Sequence, residues 1–112
     1  MLMKLKRGGF KMAVNSKKDA LKALSDVNPE HNFWVCDGGV LKSINDLLSA
    51  LKKMNKNVFQ AHVNKEKNDF ANWINDIIKD EKLAKELYKV KDKKKIISKV
   101  TQRIAWLKKK AK

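Results

Sequence analysis

Cys36, His31 and His62 are the side chains that could ligate a metal or supply a nucleophile with its base. One cysteine and two histidines, at separations of 5 and 26 residues, match no zinc-binding spacing. Cys36 ends the apolar run Phe33-Trp34-Val35-Cys36 beside a turn, the setting of a small buried hydrophobe. His62, within Phe59-Gln60-Ala61-His62-Val63, is expected to make a core or capping hydrogen bond. Asp69 and Asp76 share one helix edge but lie seven residues apart, with no partner acid or metal ligand. Asp37-Gly38-Gly39 lacks the longer glycine spacing and the Lys-Ser/Thr of a phosphate loop, so it is turn chemistry. On these grounds no catalytic residue, metal site or cofactor is assigned, and the chain is read as a non-enzyme.

The elements that position these residues follow from caps and periodicity. Residues 1–15 contain Gly8-Gly9, show no helical period and form a basic arm; Met12 is an alternative start to Met1. Ser16 caps a helix with Asp19 at its third position, ending near Val27 because Pro29 disfavours helix at Asn28. Phe33 to Cys36 and Val40-Leu41 flank Asp37-Gly38, predicting a hairpin over about residues 33–42 closed by a tight two-residue turn. Ser43 caps the next helix, and Asn57 is expected to cap a short one over Val58 to Val63. Asn68 opens a helix with Phe70, Trp73, Ile74, Ile77 and Ile78 on one face. Asp80 and Asp92 cap the last two, the final helix running to about Lys110. The fold class is mainly α: a compact bundle of four to six short helices with one small β-hairpin.

Several of these pieces carry a resemblance. They are Phe33-Trp34-Val35-Cys36-Asp37-Gly38, the helix with Leu47 and Leu51, Val58-Phe59 with His62-Val63-Asn64, and Lys67-Asn68-Asp69-Phe70-Ala71-Asn72-Trp73-Ile74, then Asp80 and Leu83-Ala84. In this order they resemble a small prokaryotic, mainly archaeal, domain family without an assigned function. The resemblance spans about residues 32–88. It implies a compact, mostly helical fold and no catalytic residues. Asn68-Asp69, despite the strength of its motif, is explained by capping and the helix dipole.

The ends depart from that pattern, and they hold the charge. The formal net charge is +15. Residues 1–18 carry Lys4, Lys6, Arg7, Lys11, Lys17 and Lys18 and no acid. Residues 93–112 carry Lys93, Lys94, Lys95, Lys99, Arg103, Lys108, Lys109, Lys110 and Lys112 and no acid. The body between them is neutral, with 12 basic and 12 acidic side chains. Such ends point to a polyanion, with nucleic acid first and an anionic membrane surface second. Because 25 of the 27 cations are Lys, point-charge phosphate contact is favoured over the bidentate base reading typical of Arg.

The last helix orders its charges. With Ile97 at 0° on a helical wheel, Trp106 falls near ~180°, with Lys95, Lys99, Gln102 and Lys110 within about 40° of it. Its apolar residues Ile96, Ile97, Val100, Ile104 and Leu107 dock on the domain, which leaves little for a membrane surface. A tryptophan among lysines can stack on a base or wedge into a minor groove. The expected domains are thus a basic arm (residues 1–15), a neutral helical domain (16–91) and a basic amphipathic helix packed on it (92–112), with scaffold and polyanion-binding parts separable. The function read here is sequence-nonspecific nucleic-acid binding, as a nucleoid-associated or ribonucleoprotein component, through Trp106 and the cations named above. The alternative is a protein-interaction module, with Phe33, Trp34, Phe70 or Trp73 forming a groove, a protein partner or homo-oligomer, and the tails serving solubility. No apolar run can span a bilayer, no signal-peptide-length stretch opens the chain, and a single cysteine fits a reducing compartment, so a cytoplasmic location is expected.

Overall fold

The computed structural model describes Val14 and residues 16–112. Six α-helices and one two-stranded hairpin make up this part: α1 (Lys17–Leu24), β1 (Phe33–Trp34), β2 (Val40–Leu41), α2 (Ile44–Lys53), α3 (Lys56–His62), α4 (Asp69–Trp73), α5 (Glu81–Tyr88) and α6 (Lys93–Lys110). Among the described residues no helix is long and apolar enough to cross a membrane. The expected basic arm falls almost wholly outside the described residues.

Most helix starts are local side-chain chemistry. Ser16 Oγ accepts the Asp19 amide at 3.1 Å, Ser43 Oγ the Asp46 amide at 3.2 Å, and Asn68 Oδ1 the Ala71 amide at 3.0 Å. Asp46 returns the favour by accepting the Lys42 amide at 2.9 Å, closing a reciprocal box at the start of α2. Asp80 and Asp92 cap α5 and α6.

Four local expectations give way to longer-range bonding. α1 stops at Leu24 rather than near Val27, because the Val27 amide is drawn to the Lys42 carbonyl at 2.7 Å. α3 is capped by Asn55, whose Oδ1 accepts the Val58 amide at 2.9 Å, and not by Asn57. The hairpin pairs Phe33 with Leu41 and Trp34 with Val40, but Asp37-Gly38 is not its two-residue turn. Val35 N–H donates to Gly39 O, and Gly38 N–H to Val35 O, so Cys36-Asp37 form the corner. Gly38 follows at φ 101°, where a side chain would be strained. This is the three-residue loop with a glycine bulge. The helix begun at Asn68 widens after Trp73 into a π-turn over Ile74–Ile78. There the Ile74 carbonyl accepts both the Lys79 and the Asp80 amides, at 2.8 and 3.1 Å. With Lys79 left-handed at φ 68°, the chain ends one helix and delivers Asp80 to begin the next.

The core is built around α6. Ile96, Val100, Ile104 and Leu107 are buried, and the helix packs on α1, α2 and α5. Burying each such side chain contributes about 1.5–3 kcal/mol. Four of them together rival the roughly 5–15 kcal/mol net stability of a whole domain. The basic terminal helix is therefore part of the scaffold, contrary to the expectation that the two are separable. The stripe that makes it amphipathic is the stripe the core needs.

Candidate nucleic-acid interface

The buried members of α6 place its apolar stripe off-centre from Ile97, which is only half buried. Trp106 then lies about 115° around the helix from the stripe, on its flank and not opposite it. It is 41% exposed. The Arg103 guanidinium stacks on its ring, 4.3 Å from the centroid.

Arg103 is held from the other side as well. Its Nε and Nη2 donate to Asp80 Oδ2 and Oδ1 at 2.6 and 2.9 Å, a bidentate pair. Asp80 is 0% exposed and also accepts the Leu83 amide at 3.2 Å. Three helices meet here, since Asp80 caps α5, Arg103 comes from α6, and Asp80 leaves the π-turn that ends α4. Arg103 thus joins structural groups and is not the free phosphate contact expected of it. A clue was present: on the wheel Arg103 borders Ile96 and Leu107, within about 40° of both.

The remaining cations of α6 behave differently. Lys94, Lys95, Lys108, Lys109, Lys110 and Lys112 are exposed, and Lys99 is half exposed beside Trp106. Lys93 is half buried and donates to the Met54 carbonyl. No acid occurs in the helix, and three lysines occupy its first turn, where the helix dipole opposes them by about 0.3–1 kcal/mol each. The last-turn lysines Lys108–Lys110 are favoured by the same dipole.

A cavity of about 410 Å³ opens along this flank, lined by Lys99, Gln102, Arg103 and Trp106 of α6, by Lys82 and Glu86 of α5, and by Val14. Lys82 and Glu86 pair across one helical turn at 3.2 Å, so the free charge facing the cavity is that of Lys99. Val14 is the first described residue of the chain, and it sits against Trp106's cavity. α1, with Lys17 and Lys18 exposed in its first turn, packs on α6. The structure therefore brings Val14 and the α6 flank together. Lys4, Lys6, Arg7 and Lys11 lie outside the described residues.

His62 occupies a built position of its own. It is buried among Phe33 and Phe70, each with its ring centroid 5.2 Å away. Its Nδ1 meets Asp69 Oδ2 at 3.0 Å, and its Nε2 accepts the Cys36 amide at 3.1 Å. Accepting at Nε2 puts the proton on Nδ1, where it donates to Asp69. Both nitrogens are engaged, which leaves no lone pair to activate the Cys36 thiol. Partial burial works to raise the Asp69 carboxyl, but the hydrogen bonds from His62 and Lys67 and the charge of Lys67 outweigh it and hold it below the usual aspartate value. Cys36 itself is exposed, not buried as expected. Among the described residues no three His, Cys, Asp or Glu side chains converge as a metal site would need. Asn68 bridges its own helix and the Leu87 carbonyl, to which its Nδ2 donates at 2.9 Å. Phe70 and Trp73 are buried and Phe33 is half buried, so Trp34, 69% exposed, is the one member of the suggested aromatic groove that faces solvent.

In comparisons with protein-family models, curated proteins and solved structures, none matches this chain.

Proposed function

We propose that this protein binds nucleic-acid backbone without reading sequence, as a packaging or ribonucleoprotein component. The observation that carries this reading is the acid-free α6, rigidly docked through its apolar stripe, with Lys95, Lys99 and Lys110 on the flank around Trp106. Lys17 and Lys18 are exposed on α1, which packs on α6, and Lys4, Lys6, Arg7 and Lys11 precede them in the sequence. Ammonium groups offer phosphate a point charge and no planar fork for base edges. The one arginine of α6 is already held by Asp80, which removes the side chain best suited to reading guanine. Trp106 supplies a half-open aromatic edge at the same flank, suited to the sugar and base edge of a bound strand.

The test is equilibrium binding of the full chain to DNA and RNA duplexes of unrelated sequence at low salt. Affinities within about threefold across sequences are expected, since phosphate contacts carry no sequence information. Absence of binding, or a preference of a hundredfold for one sequence, would overturn the reading.

A further inference from the structure

A second basic surface lies at the other end of α6. A cleft of about 860 Å³ opens between α3 and the junction of α5 with α6. Its walls carry Lys56 from α3, Lys65 from the following loop, and Lys91, Lys93 and Lys94 from the junction, with Asp92 as the one acid. Phe59 and Val63 form an apolar floor. None of Lys56, Lys65 and Lys91 stood out in the sequence, because the neutral body contains equal numbers of both signs. Only the fold gathers them.

The charges are both unneutralised and positioned. Among the described residues no acid pairs with any of the five lysines. Asp92 directs its carboxylate to the Lys94 amide as the cap of α6. Lys91 Nζ donates to the Asn64 carbonyl at 2.9 Å, and Lys93 Nζ to the Met54 carbonyl. An ammonium has three donors, so each keeps two for a ligand while its reach is fixed. Five like charges around one concave space repel one another at close range, and low-dielectric walls focus their field. Phosphate oxygens are the ligand chemistry that relieves it. The cleft is wide, with Gln60 and Asn64 beside the lysines, and a backbone of repeated phosphates fits its spread of point charges.

Its position relative to the first surface gives it meaning. Lys93 and Trp106 are 13 residues apart, so they stand about 20 Å apart along α6 and roughly 140° apart around it. An undeformed duplex is nearly straight over the few turns a domain of this size can cover, since its persistence length is about 150 bp. One such rod cannot touch both sides of a helix buried in a domain. We propose that the cleft is a second duplex-backbone site and that one molecule of this protein bridges two duplex segments. This rests on the nucleic-acid reading above.

The experiment uses a bead-immobilised DNA duplex, a labelled second duplex of unrelated sequence, and the full chain with and without K56E/K65E. Both side chains are exposed, and neither holds another residue in place, so the variant is expected to melt like the wild type. Wild type should capture the second duplex. The variant should capture at least about tenfold less, while its affinity for a single duplex falls less than about threefold. Variant capture within twofold of wild type overturns the proposal, including the case in which bridging arises from dimers using the α6 flank. Single-duplex binding by wild type without any capture overturns it too and leaves the nucleic-acid reading standing. No duplex binding at all overturns both.

Discussion

Replacing Asp80 by Asn is expected to cost this fold about 3 kcal/mol. The substitution keeps the side chain's shape, and Asn caps helices about as well as Asp, so the Leu83 amide keeps its acceptor. What is lost is the charge opposite Arg103 and one of the two oxygens that receive its guanidinium. The pair is deeply placed, with side-chain exposures of 10% for Arg103 and 0% for Asp80. Breaking a buried pair from one side costs about 3–5 kcal/mol, because a desolvated charge is left unmatched. The low end applies here, since Arg103 keeps the Trp106 face and a narrow path to water. Against a net stability of roughly 5–15 kcal/mol this is large, and it corresponds to a fall in Tm of about 10 °C or more. Urea denaturation at neutral pH measures it. The double variant D80N/R103L removes both charges and should recover at least half of the loss, as apolar replacements of buried pairs do. A cost below about 1 kcal/mol for D80N, or no recovery in the double variant, would show that the pair is solvated and the reasoning wrong.

Two further outcomes follow from the same geometry. Trp106→Ala should destabilise the fold by about 1–2 kcal/mol through loss of the Arg103 stack and its contact area, read by thermal melting, and should weaken duplex binding only a few-fold. Asp69 has its pKa lowered in the fold, so its contribution is present above the ordinary aspartate value and is lost as the pH falls through the folded value. The urea midpoint of wild type should therefore exceed that of Asp69→Asn at neutral pH, and the gap should close in acid; a gap independent of pH would contradict this assignment.

The parts of this fold that could be read from the chain are those decided within one turn of helix. Ser16, Ser43, Asn68, Asp80 and Asp92 each cap a helix that the following apolar spacing makes necessary. What escaped was decided by partners far along the chain. Val27 leaves α1 for Lys42, and Asp80 meets Arg103 across 23 residues. Asn55 and Asn57 are equally good caps by type, and the C-terminus of α2 at Met54 selects Asn55. The π-turn after Trp73 could not be read from a period that fits a regular helix just as well. For the interface, the acid-free character of α6 was plain, whereas the cleft of Lys56, Lys65 and Lys91 exists only once α3 lies beside the start of α6.

The salt dependence of duplex binding tests the central claim most directly. Six contacts, from Lys17, Lys18, Lys95, Lys99, Lys109 and Lys110, give a slope of log K against log salt of about −5. The variant K95Q/K99Q/K110Q, with unchanged melting, should reduce that slope by about 2.7 and should lose most of its affinity at low salt. Equal slopes for the two proteins would contradict the assignment of the α6 flank as the phosphate-binding surface.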